Sequence, residues 1–144
     1  MILHAGLLAA RVGGDWRGVL VDGPSGVGKS DLALRALAHG FQMVADDRVI
    51  AWVCDGRLFG AAPAPIQGLM EQRGLGVLPV PYRRLTEISL LAVCEPMDRA
   101  IERLPDPQAR LVEGVSIPLL RLHPLEASAP FKLLRALSHI GAQP

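Results

Sequence analysis

The sequence lacks the features that would place it in several protein classes. It has only two cysteines, Cys54 and Cys94, and neither has a cysteine or histidine at metal-ligand spacing, so neither a zinc site nor a disulfide framework is indicated. No stretch approaches the roughly 20 apolar residues that a membrane-spanning helix needs, and no basic segment precedes the first apolar residues. We therefore expect a cytoplasmic protein with no membrane partner, in which both cysteines are buried free thiols.

Charge of one sign is also missing. The 144 residues contain 15 basic and 14 acidic side chains, for a formal net charge of +1. No broad electrostatic field would attract nucleic acid or an anionic membrane, so we expect no nucleic-acid partner. Half of the residues are hydrophobic, with no internal repeat or low-complexity segment. This composition predicts a single domain over residues 1–144.

Apolar segments and turn residues alternate in the order expected of an α/β domain. Strands are predicted at residues 7–12, 19–21, 41–45, 49–54, 57–60, 87–93 and 117–122, and helices at residues 30–39 and 131–140. Turns at Gly13-Gly14 and Asp55-Gly56 are too short for a helical crossover, so neighbouring strands there are antiparallel. The sequence therefore predicts a P-loop kinase-like fold with a mixed, partly antiparallel sheet flanked by helices.

Three details of this prediction concern the helices and the connections. Gly40 is expected to cap the first helix in the left-handed conformation. Residues 66–81 are interrupted by glycine and proline, and residues 96–108 are predicted to form a surface connection because three prolines oppose a helix there. The expected buried face of the terminal helix consists of Phe131, Leu134, Leu137 and Ile140.

A complete phosphate-binding motif lies between the strand at residues 19–21 and the first helix. The pattern G-x-x-x-x-G-K-[ST] is formed by Gly23, Pro24, Ser25, Gly26, Val27, Gly28, Lys29 and Ser30. Such a loop directs backbone N–H groups and a helix N-terminus at phosphate oxygens. Lys29 is expected to neutralise phosphate charge and Ser30 to bind Mg²⁺. The flanking strand and helix disfavour a chance match, so the sequence predicts binding of ATP and Mg²⁺, which a kinase and an NTPase would share.

Two adjacent carboxylates follow the strand predicted at residues 41–45. Asp46 and Asp47 would lie at the end of a strand near the phosphate loop, where α/β sheets bind their ligands. One carboxylate there can bind Mg²⁺ while the other accepts a hydroxyl proton. The alternative is a solvated Asp-Asp turn, which the nearby phosphate loop disfavours.

Three motifs in this order resemble the HPr kinase/phosphorylase family. They are the phosphate loop, Val44-Ala45-Asp46-Asp47 and Glu71-Gln72-Arg73-Gly74-Leu75-Gly76. Arg57-Leu58-Phe59-Gly60 and Ala62-Pro63 are similar to the hairpin and loop that precede the last motif in the family. The resemblance covers nearly the whole chain as the family's C-terminal catalytic domain, so we expect a short form without the N-terminal domain.

The resemblance implies roles for five residues outside the phosphate loop. Asp46 would take the proton from a serine of the protein substrate, and in reverse would assist phosphate attack on phosphoserine, with Asp47 beside it. Glu71 would bind Mg²⁺ and Arg73 would shape the phosphate environment; taken alone these two residues fit an ordinary surface ion pair better, and the neighbouring motifs reverse that preference. His4 would lie near the transferred phosphate, and a frayed N-terminal histidine is the alternative.

The function implied by the resemblance is ATP-dependent serine phosphorylation of HPr or a related phosphotransferase-system carrier protein, together with the reverse phosphorylase reaction. A homo-oligomer, specifically a hexamer, is also implied. Two alternatives stay open from the sequence. A small-metabolite kinase would need a lid and a substrate insertion, for which the chain has little room. A non-catalytic nucleotide-sensing module would keep the phosphate loop and lack the chemistry.

One segment departs from the family pattern. Residues 122–130 read Leu-His-Pro-Leu-Glu-Ala-Ser-Ala-Pro, whereas the family has arginines in this C-terminal catalytic loop. A cation that stabilises transition-state charge contributes strongly to rate. Arg121 and Lys132 are the candidates to compensate, although a solvated strand end for Arg121 and the outer face of the terminal helix for Lys132 are the favoured interpretations. We expect phosphoryl transfer to be slower than in members with these arginines, and the phosphorylase direction to suffer most.

Overall fold

Short apolar segments separated by tight turns form a mixed sheet with two helices. The computed structural model describes residues 1–141. Its strands are β1 (Ile2–Leu3), β2 (Gly6–Val12), β3 (Asp15–Asp22), β4 (Phe41–Ala45), β5 (Val49–Cys54), β6 (Arg57–Ala61), β7 (Leu69–Gln72), β8 (Gly76–Pro79), β9 (Leu85–Cys94), β10 (Gln108–Val112) and β11 (Val115–Leu122). The helices are α1 (Lys29–Ala36), extended by a 3₁₀ turn (Leu37–His39), and α2 (Ala129–His139). The predicted α/β class is confirmed.

The order of the strands brings several carboxyl ends to one edge. The main sheet runs β1-β5-β6-β9-β3-β2-β4, β11 also pairs with β9, and β10 pairs with β11. β9 is parallel to β3 and β11, while β2 is antiparallel to both β3 and β4. Therefore β3, β4, β9 and β11 all point the same way. We call the side of the sheet where these four strands end the carboxyl edge.

The sheet separates two hydrophobic cores. Leu8, Val19 and Leu90 face α1 and α2, where they pack with residues such as Leu32 and Leu133. Neighbouring side chains alternate between faces of a strand, so Leu7, Leu20 and Leu91 enter the second core with Val49 and Leu58. Because strands from both halves of the sheet share this second core, the sheet curves around it. Each fully buried leucine contributes roughly 1.5–3 kcal/mol.

Two predicted turn features are confirmed. Asp55 and Gly56 have φ values of 54° and 73°, the pair of positive angles that a type I′ hairpin turn requires. Gly40 ends the 3₁₀ turn with φ 89°. Two other hairpins, β7–β8 and β10–β11, were not anticipated. All four residues of β8 are exposed, so no apolar alternation marks it, and the β10–β11 turn places Glu113 at φ 50°, where asparagine, aspartate or glycine is usual.

The predicted buried face of the terminal helix is confirmed only in part, because Leu134 and Ile140 are half-buried against the core and Phe131 lies outside it. In α2 the buried residues are Ala129, Pro130, Leu133, Ala136 and Leu137, so Leu137 alone of the predicted four is buried. Phe131 is 52% exposed and lies beside the His39 ring, with 4.5 Å between centroids. The helix begins two residues earlier than expected. Its buried face includes two alanines, whose small side chains let the helix approach the sheet closely, and a search for large apolar residues does not identify such positions.

The two thiols also differ from the expectation that both are buried. Cys94 is buried, as predicted, whereas Cys54 is exposed at the end of β5. A strand that begins in the core can end in solvent at a hairpin turn, and the short apolar segment does not distinguish its two ends. In residues 1–141, neither helix has the length and apolar composition required to cross a membrane.

Candidate active site

The phosphate loop connects β3 to α1 at the carboxyl edge. Gly23 has φ 149°, and a Cβ there would lie 2.7 Å from the Cys94 carbonyl oxygen, so the loop passes β9 at a distance that only glycine permits. Gly28 is left-handed at φ 116° directly before α1. The Lys29 ammonium donates a hydrogen bond to the Gly23 carbonyl. The strand, loop and helix required by the motif are thus present, with Lys29 bridging the two ends of the loop.

Residues at the ends of β3 and β9 contact the phosphate loop or fix the strand ends beside it. Asp22 accepts hydrogen bonds from the Gly23 N–H at 2.8 Å and from Arg110 Nη1 at 3.2 Å. Burial raises the pKa of the Cys94 thiol to about 12, so this thiol is a neutral packing group behind Gly23. Glu95 is 6% exposed and pairs with Arg121 at 2.8 Å and Arg99 at 3.5 Å. These contacts fix the neighbouring strand end.

The acidic pair lies beside the phosphate loop. Lys29, Ser30, Asp46 and Asp47 line one cavity, whose remaining lining comes mainly from apolar residues of β2, β3 and β4 and from Met70 of β7. Asp46 is half-buried, while Asp47 is exposed with φ 71°. The predicted strand at residues 41–45 matches β4 and ends where these carboxylates begin. The structure therefore places both aspartates and the P-loop cation and hydroxyl around a common space.

The surroundings of Asp46 raise the pKa of its carboxyl. Its Oδ2 accepts a hydrogen bond from the Glu71 backbone N–H at 3.0 Å. Partial burial raises the pKa of the Asp46 carboxyl above its ordinary value, with the nearby charges of Asp47 and Glu71 adding to the effect and the Glu71 N–H opposing it. A carboxylate whose charged form is disfavoured holds a proton more readily. The two acidic motifs, far apart in sequence, meet through this hydrogen bond.

Glu71, Arg73 and His4 are placed differently. The Glu71 backbone is next to Asp46, although its side chain is exposed. Arg73 lies in the exposed turn between β7 and β8 and is not among the residues that line the cavity. His4 is exposed between β1 and β2 and also lies outside that lining. Strand register aligns Leu3 with Val49 and Leu7 with Ala45, so the segment carrying His4 runs alongside the Asp46-Asp47 turn.

The C-terminal loop, residues 123–128, joins β11 to α2 and rests on the phosphate loop. A Cβ on Gly28 would lie 2.7 Å from Cδ2 of Leu125. The two cations considered as replacements for the missing arginines have other partners. Arg121 donates to Glu95 and to the Gln108 side chain, and Lys132 lies 3.5 Å from Glu126. Therefore neither Arg121, near the end of β11, nor Lys132, on α2, provides this loop with a cation that has no other partner.

Sequence reasoning missed three residues that shape the site. Glu95 directly follows β9, and a carboxylate at the end of a strand is a pattern that could have indicated a residue near the site. For Leu125 the sequence shows only that the position lacks a positive charge, and not that its side chain packs against Gly28. Arg35 donates to the backbone carbonyl oxygens of Pro124 and Glu126, and no local pattern indicates a contact between residues about 90 positions apart. Long-range contacts of this kind depend on the packing of α1 against the C-terminal loop.

Known proteins resemble this chain in sequence and in fold. A family model described as the HPr Serine kinase C-terminal domain matches residues 6–121. An HPr kinase/phosphorylase of Lacticaseibacillus casei is 38% identical over 112 residues, which are 70% of this chain and 35% of the relative. One of Limosilactobacillus reuteri is 36% identical over 134 residues, which are 85% of this chain and 40% of the relative.

A solved structure shows the same fold. The HPr(Ser) kinase/phosphatase from Coxiella burnetii gives a TM-score of 0.77 at 23% identity, and the match covers 92% of this chain and 86% of that chain. The curated relatives are longer, because matches to those from L. casei and L. reuteri cover 35% and 40% of their lengths. The family match ends at residue 121, directly before the segment that lacks the family's arginines.

Proposed function

The chain belongs to the HPr serine kinase C-terminal domain family, and on this basis we propose that it catalyses ATP-dependent phosphorylation of a serine in HPr or a related carrier protein. One observation carries the proposal. Lys29, Ser30, Asp46 and Asp47 line a single cavity at the carboxyl edge. A phosphate-binding loop and a proton acceptor are the two elements that phosphoryl transfer to a hydroxyl needs.

The residues around this cavity fit ATP and Mg²⁺. Gly28 is left-handed directly before α1. Lys29 and Ser30, the first two residues of that helix, line the cavity, and Lys29 has the charge to meet β- and γ-phosphates. Ser30 and the carboxylates of Asp46, Asp47 and Glu71 are hard oxygen donors, which Mg²⁺ prefers, and this ion usually takes only one or two carboxylates beside phosphate and water. ATP would supply the transferable phosphoryl group, and Mg²⁺ would neutralise its developing charge.

Asp46 is proposed to act on the acceptor proton. As the serine oxygen bonds to phosphorus and the bond to the ADP oxygen breaks, the serine proton passes to the Asp46 carboxylate. The raised pKa of Asp46 favours that acceptance. In the phosphorylase direction the same residue would assist attack of inorganic phosphate on phosphoserine. Glu71 holds Asp46 through its backbone N–H and is proposed to help bind Mg²⁺.

Arg73 and His4 have weaker support. Both are exposed and lie outside the cavity lining, so each would have to act at the rim of the site. We propose that Arg73, two residues from Glu71 on a glycine-flanked turn, contacts phosphate or the protein substrate when they bind. His4 is proposed to lie near the transferred phosphate, because its segment runs beside the Asp46-Asp47 turn. Cytoplasmic location and assembly as a homohexamer are further parts of the proposal.

A second function has a specific observation behind it. Arg121 pairs with the buried Glu95 and Lys132 with Glu126, so no cation on or next to residues 122–130, within the described chain, is free to replace the family's arginines. A module of this kind would bind ATP and transfer its phosphoryl group slowly or not at all. The alternative is therefore a nucleotide-sensing regulatory module built on the same phosphate loop.

One assay separates these functions. The full chain is incubated with γ-labelled ATP, Mg²⁺ and an HPr-type carrier protein, beside a carrier whose acceptor serine is replaced by alanine. Label on the first carrier and not on the second supports the serine kinase. ATP binding without transfer supports the sensing module, and label on a small-molecule acceptor instead of the carrier indicates a small-metabolite kinase.

A further inference from the structure

Arg35, in the last turn of α1, reaches across to the C-terminal loop. Its Nη1 donates to the Glu126 carbonyl at 3.1 Å, its Nη2 donates to the Pro124 carbonyl, and its Nε donates to Asp31 at 2.8 Å. The guanidinium group is a planar fork with fixed donor directions. Since each of its three nitrogens has a partner, Arg35 fixes the separation between α1 and two carbonyls of the loop.

Leu125 lies between these two carbonyls and covers the phosphate loop. If Gly28 carried a Cβ, that atom would lie 2.7 Å from Leu125 Cδ2 and 3.5 Å from Pro124 Cγ. Gly28 is the residue before Lys29, and its φ of 116° turns the chain into α1. The bonds from Arg35 therefore hold Leu125 against the residue on which the conformation of the phosphate loop depends.

The loop has few other attachments to α1. Within the described residues, its hydrogen bonds are mainly internal or lead to neighbouring segments, such as Glu126 N–H to His123 at 3.2 Å and His123 Nε2 with the Arg99 carbonyl at 2.6 Å. The ion pair between Lys132 and Glu126 joins the loop to α2 and not to α1. Arg35 is thus the polar link between this loop and the helix that starts at Lys29.

We propose that Arg35 is a positioning residue that fastens the C-terminal loop onto the phosphate loop and so preorganises Gly28, Lys29 and Ser30 to receive the phosphates of a nucleotide. The proposal rests on the nucleotide site of the proposed function. Arg35 does not itself face the cavity. Its effect passes through Leu125, because a loosened C-terminal loop lets the phosphate loop leave the conformation in which its N–H groups converge.

Arg35 could instead act only within α1, by stabilising the helix through its contact with Asp31. The pair between Arg35 and Asp31 spans one helical turn, and such exposed pairs contribute little to stability. It involves neither Pro124 nor Glu126. Asp31→Asn removes this pair while leaving both carbonyl contacts available, and therefore separates helix stabilisation from fastening of the loop.

The test compares Arg35→Met, Arg35→Lys and Asp31→Asn in the full chain. Lys132→Met is the matched control, because it removes a cation that contacts the same loop through the Glu126 side chain rather than its backbone. Hydrogen exchange of the amides of residues 125–129 is followed by mass spectrometry, and the Kd for ATP with Mg²⁺ is measured by titration. Steady-state kinetics with an HPr-type carrier give the KM for ATP and kcat separately.

For Arg35→Met we expect loop exchange to accelerate about tenfold or more, because the opening that exposes these amides becomes less costly. The Kd and KM for ATP should rise about tenfold while kcat changes less than about threefold, since preorganisation of binding is lost and the groups that react are kept. Arg35→Lys should behave like Arg35→Met, because an ammonium group cannot hold two carbonyls in a planar fork. Asp31→Asn and Lys132→Met should resemble the wild type.

Wild-type exchange and wild-type ATP affinity in Arg35→Met would overturn the proposal, and so would an equal loss in Asp31→Asn. A wild-type chain that binds no ATP would instead refute the proposed function, and the exchange measurement would then decide alone whether Arg35 fastens the loop. If Arg35→Met does not fold, Arg35→Lys and Leu125→Ala carry the test. Leu125→Ala leaves the carbonyls in place, so weaker ATP binding is expected with little change in loop exchange.

Discussion

The Glu71 backbone N–H donates a 3.0 Å hydrogen bond to the Asp46 carboxylate. This bond joins β7, near the turn of the β7–β8 hairpin, to the residue that follows β4, beside the phosphate loop. Burial and the neighbouring carboxylates raise the pKa of Asp46, and the hydrogen bond from Glu71 limits that rise. Asp46 is therefore kept in a fixed position in a setting that disfavours its charge, and both properties suit a residue that accepts a proton.

Replacing Asp46 by asparagine should stabilise the fold at neutral pH. A carboxyl whose pKa is higher in the folded protein than in the unfolded chain binds protons more readily in the folded state. Its negative charge therefore lowers the stability of the fold when the pH is above the folded-state pKa. Below the ordinary value of 3.8 the carboxyl is protonated in both states and this cost is absent. Asparagine removes that cost and still accepts the Glu71 N–H. The midpoint of thermal unfolding should rise at pH 7, and the gain should disappear as pH falls toward 3.8. Asp47→Asn, at an exposed position, should give a smaller gain, and an Asp46→Asn protein that is less stable at pH 7 would contradict the assignment.

Lys29→Ala should abolish transfer while leaving the fold intact. Lys29 makes one side-chain hydrogen bond, to Gly23, so its loss should lower the free energy of unfolding by about 1 kcal/mol or less. The phosphoryl charge would lose its counter-charge, and the transfer rate should fall by about 10³-fold or more. Transfer rate and chemical denaturation are measured together. Lys132→Ala, at the other lysine of the sequence, should keep the wild-type rate, and equal rates in the two variants would remove Lys29 from the site.

Leu125→Arg should increase transfer, most clearly in the phosphorylase direction. Leu125 is 55% exposed and its side chain covers Gly28, so an arginine stem can take the same place while its cation reaches toward the phosphate loop. We expect a gain of about threefold to tenfold, since a cation near transition-state charge lowers the barrier. Leu104→Arg adds the same charge at a side chain that is 93% exposed in the connection before β10. A gain in both variants, or in neither, would show that position 125 is not the missing arginine site.

The two thiols should react at very different rates with a maleimide at neutral pH. Cys54 is exposed, whereas Cys94 is buried with a pKa of about 12, and the thiolate is the reactive form. Mass spectrometry of the native protein should show one label, on Cys54, and two labels after denaturation. Rapid labelling of Cys94 in the native protein would contradict the packing of β9 behind Gly23.

How far the sequence predicts the molecule depends on whether a feature is local. The phosphate loop, the end of β4 at Asp46 and the Asp55-Gly56 turn follow from residues adjacent in the chain, and the structure has them where they were expected. The β7–β8 hairpin does not follow from adjacent residues, because exposed strands show no apolar alternation. The complete buried face of α2 does not follow from them either, because alanine at a helix contact gives little hydrophobic signal. The contact of Arg35 with Pro124 depends on the packing of distant segments, which no spacing in the sequence records.

The proposed function is tested most directly by the initial rate of phosphoserine formation on an HPr-type carrier. This rate is measured at saturating ATP and Mg²⁺ for the wild type and for Asp46→Asn, and the Kd for ATP is measured for both proteins. Loss of the proton acceptor should lower the rate about 10²-fold to 10⁴-fold, and the Kd should change less than about threefold because the phosphate loop is untouched. A parallel loss of rate and affinity would assign Asp46 to Mg²⁺ binding instead. Wild-type protein that binds ATP and forms no phosphoserine, or an Asp46→Asn rate equal to the wild type, would contradict a serine kinase with Asp46 as its proton acceptor.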